Sequence, residues 1–172
     1  MIKAVGAIII LTAAACLGFI KGQQYEERIR DLKQLELIFQ ELLSDIRFGK
    51  ITMAESFRRI SQNVPIPFDR FLKNLCGEMK WKRGRQFVDI FSEEVKKCLQ
   101  QSYLENIDLQ KLKEVGHSMD GADRETQIHV LESYLRELKK WREQLESKAP
   151  EQKRICRVLG VTGGTFLLII LL

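Results

Sequence analysis

The chain has 172 residues, room for one soluble domain plus anchors, with 30% charged and 8% aromatic residues. Lys and Arg exceed Asp and Glu by only 28 to 23, which excludes the concentrated basic face expected of a nucleic-acid protein. The four cysteines, Cys16, Cys76, Cys98 and Cys156, have no CxxC spacing, so a disulfide framework is not expected and a reducing cytoplasm fits better.

Ala4 to Ile20 is an uncharged run between Lys3 and Lys21. It reads as an uncleaved membrane helix over residues 1–20. The competing reading is a signal peptide, and Leu11-Thr12-Ala13-Ala14-Ala15-Cys16 hints at a lipoprotein cleavage site. The apolar run, however, continues through Leu17, Phe19 and Ile20 past that point. From Lys21 to Phe48, Leu32, Leu35, Phe39, Leu42 and Ile46 recur at steps of three and four, as on a long amphipathic helix. Gly49 stands where a left-handed C-terminal residue would end it. Thr52 with Glu55 three residues on predicts a capping box and a short helix to about Gln62. Pro65 and Pro67 make the next stretch a loop.

A third helix is expected over Phe68–Lys80 and a fourth over Phe87–Tyr103, separated by the basic turn Lys80, Trp81, Lys82, Arg83, Gly84 and Arg85. Asn106 or Asp108 caps a fifth, carrying Ile107, Leu109, Leu112 and Val115, and Gly116 to Gly121 breaks the chain. Asp120 or Asp123 then starts the longest helix, with Ile128, Leu131, Leu135, Leu138 and Leu145 at heptad spacing and Arg142 interrupting the seam. Pro150 is expected to separate it from a second membrane helix over residues 150–172. The last fifteen residues of that span, Val158 to Leu172, carry no charge. They extend about 22 Å as helix, and starting near Pro150 with Arg154 and Arg157 snorkelling brings the length toward the ~30 Å hydrocarbon core.

No alternating strand pattern occurs. The expectation is therefore an all-α chain: a bundle of about six helices over 21–149, between an N-terminal and a C-terminal transmembrane helix. The basic flanks Lys21, Arg28, Arg30 and Lys33, and Lys148, Lys153, Arg154 and Arg157, place the bundle in the cytoplasm. The two anchors would then lie side by side, with Gly160 and Gly164 facing Ala14 and Gly18 as small-residue packing positions.

Catalytic chemistry has no foothold. His117 and His129 are the only histidines and lack companions at ligand spacing. No phosphate-binding Gly loop and no nucleophile motif is present. Glu93 and Glu94 read as solvated surface. The basic turn has the one functional look, since an aromatic among cations can meet an acidic protein surface, anionic lipid or nucleic acid. A membrane-tethered binding module using Lys80, Trp81, Lys82, Arg83 and Arg85 is accordingly the alternative function.

Several stretches resemble the stage III sporulation protein AB family of endospore-forming bacteria. They are Ile2-Lys3-Ala4-Val5-Gly6-Ala7, Arg30-Asp31-Leu32-Lys33-Gln34-Leu35, and Glu41-Leu42-Leu43-Ser44-Asp45-Ile46-Arg47-Phe48-Gly49. Val115-Gly116, Asp123-Arg124-Glu125-Thr126-Gln127 and Leu159-Gly160 complete the match, and the element opening the last helix (Asp123, Arg124, Glu125, Gln127) is the most telling. Asp120-Gly121 departs from the family pattern, where a Gly is expected after an apolar residue. The family is similar to the inner-membrane platform protein of type II secretion. The resemblance implies a non-enzymatic membrane platform in the outer forespore membrane of the mother cell, with its soluble domain facing the mother-cell cytoplasm. Implied partners are the other stage III sporulation A-operon proteins, especially a cytoplasmic ATPase, and the lipid bilayer. No cofactor, small-molecule substrate or nucleic acid is expected.

Overall fold

Apolar residues at steps of three and four, with almost no proline in the periodic stretches, can bury a stripe only by coiling into helices. The computed structural model bears this out: it describes the backbone of residues 2–49, 51–80 and 84–171 and the side chains of 20–49, 51–80, 84–152, 154–155, 158 and 162. Among the described residues six helices follow in order: α1 (Ile2–Phe48), α2 (Met53–Ile60), α3 (Phe68–Lys80), α4 (Phe87–Leu99), α5 (Asn106–Met119) and α6 (Arg124–Leu171). Among the described residues there is no strand. The two expected membrane helices fall almost wholly where side chains lie outside the described residues, as do Ala14, Gly18, Gly160 and Gly164. Among the described residues no helix is long and apolar enough to cross a membrane.

Two compact units divide the chain, Met1–Ile29 with Glu143–Leu172, and Arg30–Arg142. In the first, the Tyr25 hydroxyl donates to the Leu145 carbonyl at 3.2 Å, tying the two helical segments together. In the second, Leu32, Leu35, Ile38, Phe39 and Leu42 of α1 are at most 1% exposed, the stripe expected from periodicity. Facing them, Leu131, Tyr134 and Leu138 of α6 are buried. The Phe39 and Tyr134 rings meet edge to face at 5.0 Å, a geometry that aligns positive ring edge with negative ring face. Around this antiparallel pair α2 packs on α3, α3 on α4 and α4 on α5, contributing the buried rings Phe57, Phe68, Phe71 and Phe91. Each such ring withdrawn from water is worth about 1.5–3 kcal/mol.

The capping box at α2 forms as expected. The Glu55 amide donates to the Thr52 hydroxyl at 3.3 Å, and the Thr52 amide donates to the Glu55 carboxylate at 2.8 Å. Other expectations are corrected. Gly49 does end α1, but it is not left-handed; positive φ is found at Gly84 and Gly121 among the described residues. Glycine is needed at 49 because its amide bonds the Asp45 carbonyl at 2.7 Å and a Cβ would overlap that same oxygen. α4 stops at Leu99 rather than Tyr103. The Ser102 hydroxyl takes up the Leu99 carbonyl, and the Tyr103 amide is drawn to Asp31 of α1 at 2.8 Å.

α5 is capped by Glu105, whose amide donates to Asp108 at 2.9 Å, so Asp108 lies inside the first turn rather than before it. Ile107 is exposed. Gly116 does not break the chain. The helix continues through it to Met119, and the turn comes at Gly121, with φ 65°. α6 likewise runs through Pro150 instead of ending there. Pro150 is exposed, so the ring and the missing N–H disturb no packed face.

Candidate interaction site

The end of α1 and the start of α6 meet in one place, and the Asp123-Arg124-Glu125-Thr126-Gln127 element is what joins them. Asp123 precedes the first turn of α6. Hydrogen bonds from the Thr126 side chain, then from the Glu125 and Thr126 amides, hold its carboxyl below the ordinary carboxylate range, as expected for an N-cap. Arg124 turns back across α1. Its Nε donates to the Ile46 carbonyl and its Nη2 to the Arg47 carbonyl, each at 2.8 Å. These are two of the carbonyls a helix leaves unbonded at its C-terminus, where a cation also offsets the dipole. Gln127 donates to the Ala122 carbonyl at 3.0 Å and closes the turn. Glu125 is exposed in the first turn, where a negative charge suits the amide end of the helix. Arg47 of α1 pairs with Glu132 of α6.

The Asp123 cap makes a pH prediction. Its folded pKa is depressed, so its stabilisation is complete above the unfolded value of about 3.9 and is lost as pH falls through the folded value. Acidification from about pH 5 to about pH 2 should therefore lower the melting temperature of the parent chain more than that of Asp123→Asn. Equal losses in the two chains would contradict the cap.

Beside this junction lies a groove of about 430 Å³, lined by Ile46, Phe48, Gly49, Ile51, Met53, Arg124 and Gln127. Phe48 is 79% exposed and Ile51 41% exposed. A large ring left that open at a helix end has no packing role in the bundle and marks a surface suited to contact. On the neighbouring first turn of α2, the Thr52 hydrogen bonds, with Lys80 and Arg58 adding, hold the Glu55 carboxyl below its ordinary value.

The basic turn is only partly in view. Lys80 is exposed, Arg85 pairs with Glu93, and Gly84 takes φ 71°. Trp81, Lys82 and Arg83 lie outside the described residues. The Glu93 pair holds the Arg85 guanidinium above its ordinary value and the Glu93 carboxyl below its own. Gly116 belongs to neither place. It is buried in α5 against the Phe91 ring, and a Cβ there would lie 2.8 Å from Cγ and closer still to Cδ1. It is a packing glycine and takes no part in starting α6.

The burial of Glu94, Asp108 and Glu36 was not expected from the sequence. Glu94 is only 4% exposed, unlike its exposed neighbour Glu93. It accepts from Asn74 Nδ2 at 2.6 Å, from the Cys98 thiol at 3.4 Å and from Lys97 at 3.3 Å. Burial, with Glu94 next, pushes the Cys98 thiol up, away from nucleophilic character. Asp108 takes Trp141 Nε1 at 2.9 Å, and Lys111 sits 5.2 Å above the same indole. Glu36 takes Arg142 Nε at 2.7 Å. A signal was available: Glu94 is four residues from Ile90, Asp108 four from Leu112, and Glu36 four from Leu32, all on the apolar stripes. Among the described residues no three His, Cys, Asp or Glu side chains could hold a metal ion, and His117 and His129 are exposed.

The sequence model of a family described as stage III sporulation protein AB matches residues 3–172. The curated stage III sporulation protein AB of Bacillus subtilis (strain 168) is 22% identical over 172 residues, all of both chains. A solved structure of stage III sporulation protein AB has the same fold, with a TM-score of 0.66 at 19% identity over 72% of this chain and 96% of that one.

Proposed function

The chain belongs to the stage III sporulation protein AB family, the premise from which we propose that it is a non-enzymatic platform in a sporulation membrane complex. In this reading the apolar runs near both ends anchor it in the outer forespore membrane. The bundle faces the mother-cell cytoplasm, and a cytoplasmic ATPase of the same operon acts on it. The observation that carries the proposal is the continuity of α1 and α6. Each is a single helix, of 47 and 48 residues, containing both an apolar run and a bundle segment. Arg124 on the α1 carbonyls, Arg47 on Glu132 and Arg142 on Glu36 lock the two bundle segments together. A displacement imposed on one of these bundle segments is shared by the other through these contacts. The secretion comparison supplies the role by analogy between families.

The test is retention of the operon's ATPase by the full chain in lipid nanodiscs, with and without nucleotide. Retention that changes with nucleotide is the expected result. Repeated failure to retain the ATPase, with a chain that melts cooperatively, would sink the coupling role.

A further inference from the structure

We infer that the groove between the end of α1 and the starts of α2 and α6 receives an acidic amphipathic helix from a partner protein, with Phe48 and Ile51 as the apolar contacts and Arg124 as the ionic one. The inference rests on the platform reading for the identity of the partner, not for the existence of the site.

The chemistry of the lining selects the occupant. Ile46, Phe48, Ile51 and Met53 offer apolar surface, and no carboxylate is among the described residues that line the groove. Arg124 is the one charged liner among the described residues. Its guanidinium is fixed by neutral carbonyl oxygens of α1, not by a carboxylate, so a cation stands oriented at the groove without an acidic partner. An apolar trough carrying one oriented guanidinium is complementary to leucine-like side chains flanked by a carboxylate, and such charge matching steers and orients encounter. The lining also selects a helix over an extended segment. The walls are the end of α1, the starts of α2 and α6 and the short connection through Gly49 and Ile51, with no strand edge among the described residues to pair with an incoming backbone. A partner must then satisfy its own backbone and dock by side chains, as amphipathic helices do. The volume, about 430 Å³, lies in the range of sites that take several side-chain groups.

The experiment uses the full chain in nanodiscs and a fluorescein-labelled helical peptide with leucines at i, i+3, i+4 and i+7 and glutamates on its other faces. A second peptide carries lysines in place of the glutamates. Anisotropy should show the glutamate peptide binding about tenfold or more tightly than the lysine peptide, and Phe48→Ser with Ile51→Ser weakening it by about tenfold. Both replaced side chains are exposed, so the variant should melt with the parent. Equal binding of the two peptides, or binding unchanged in the variant, overturns the inference. So does loss of binding in Lys82→Glu with Arg83→Glu while the groove variant still binds, because the basic turn would then be the site. The ATPase arm separates the two readings. If the parent retains the ATPase and the groove variant retains it equally, the platform role stands and the groove is not its docking site. If the parent fails to retain it while groove-dependent peptide binding persists, the platform coupling falls and the groove inference stands.

Discussion

Gly116→Leu is expected to destabilise the bundle by about 3 kcal/mol or more, and Gly116→Ala by about 1–2 kcal/mol, despite the gain in helix propensity of about 1 kcal/mol that removing a helical glycine usually brings. The added Cβ would lie 2.8 Å from Phe91 Cγ and 3.0 Å from Cε1. A flexible side chain at the surface could swing aside, but Phe91 is 1% exposed. Its ring is held edge-on by Phe71 at 5.5 Å and tilted against Phe87 at 5.4 Å. Moving it means separating α4 from α3 as well as from α5. Chemical denaturation measures the effect directly. In a Phe91→Leu background, where the ring is gone, the cost of Gly116→Ala should shrink or change sign, a coupling of about 1 kcal/mol or more. Stabilisation by Gly116→Ala in the parent chain would show that the close approach of α5 to the ring does not matter.

The second large effect is expected at Arg142. Its Nε lies 2.7 Å from Glu36 Oε2, and the two side chains are 13% and 10% exposed. Arg142→Leu removes that donor and leaves Glu36 with Gln40 on its other oxygen at 3.3 Å, inside an apolar seam. Breaking a fully buried pair costs about 3–5 kcal/mol, and the residual solvent contact here reduces that to about 2–4 kcal/mol. The double variant Glu36→Leu with Arg142→Leu should recover most of the loss, or exceed the parent, because two apolar residues need no hydration. The double variant should nevertheless weaken ATPase retention if the pair sets the register of the two long helices. Recovery of stability with undiminished retention would reduce the pair to a packing detail. A double variant no more stable than Arg142→Leu alone would instead show that the seam has no room for leucines.

The number and order of the helices, and much of their buried stripes, were legible in the sequence. The stripe Leu32, Leu35, Phe39, Leu42, Ile46 is buried as periodicity requires, and the Thr52–Glu55 box forms. Asp123 caps α6, α3 has the expected bounds, and the family resemblance holds over residues 3–172. These features are local, because a turn of helix and its cap are decided by residues within four positions of one another. Side chains that depart from the local rule do so because of long-range contacts. Gly116 reads locally as a breaker, yet it lies inside α5, where Phe91, 25 residues earlier in the chain, occupies the space a Cβ would need. Glu94 reads as surface, yet it is buried because Asn74 of α3 supplies its hydrogen bond. Arg124 is part of the element that carries the family resemblance, and what it does there is cap a helix that ended some 75 residues earlier. The groove beside it likewise exists only because α1, α2 and α6 meet there. Contacts between residues distant in sequence depend on how helices cross, and no spacing along one chain contains that information.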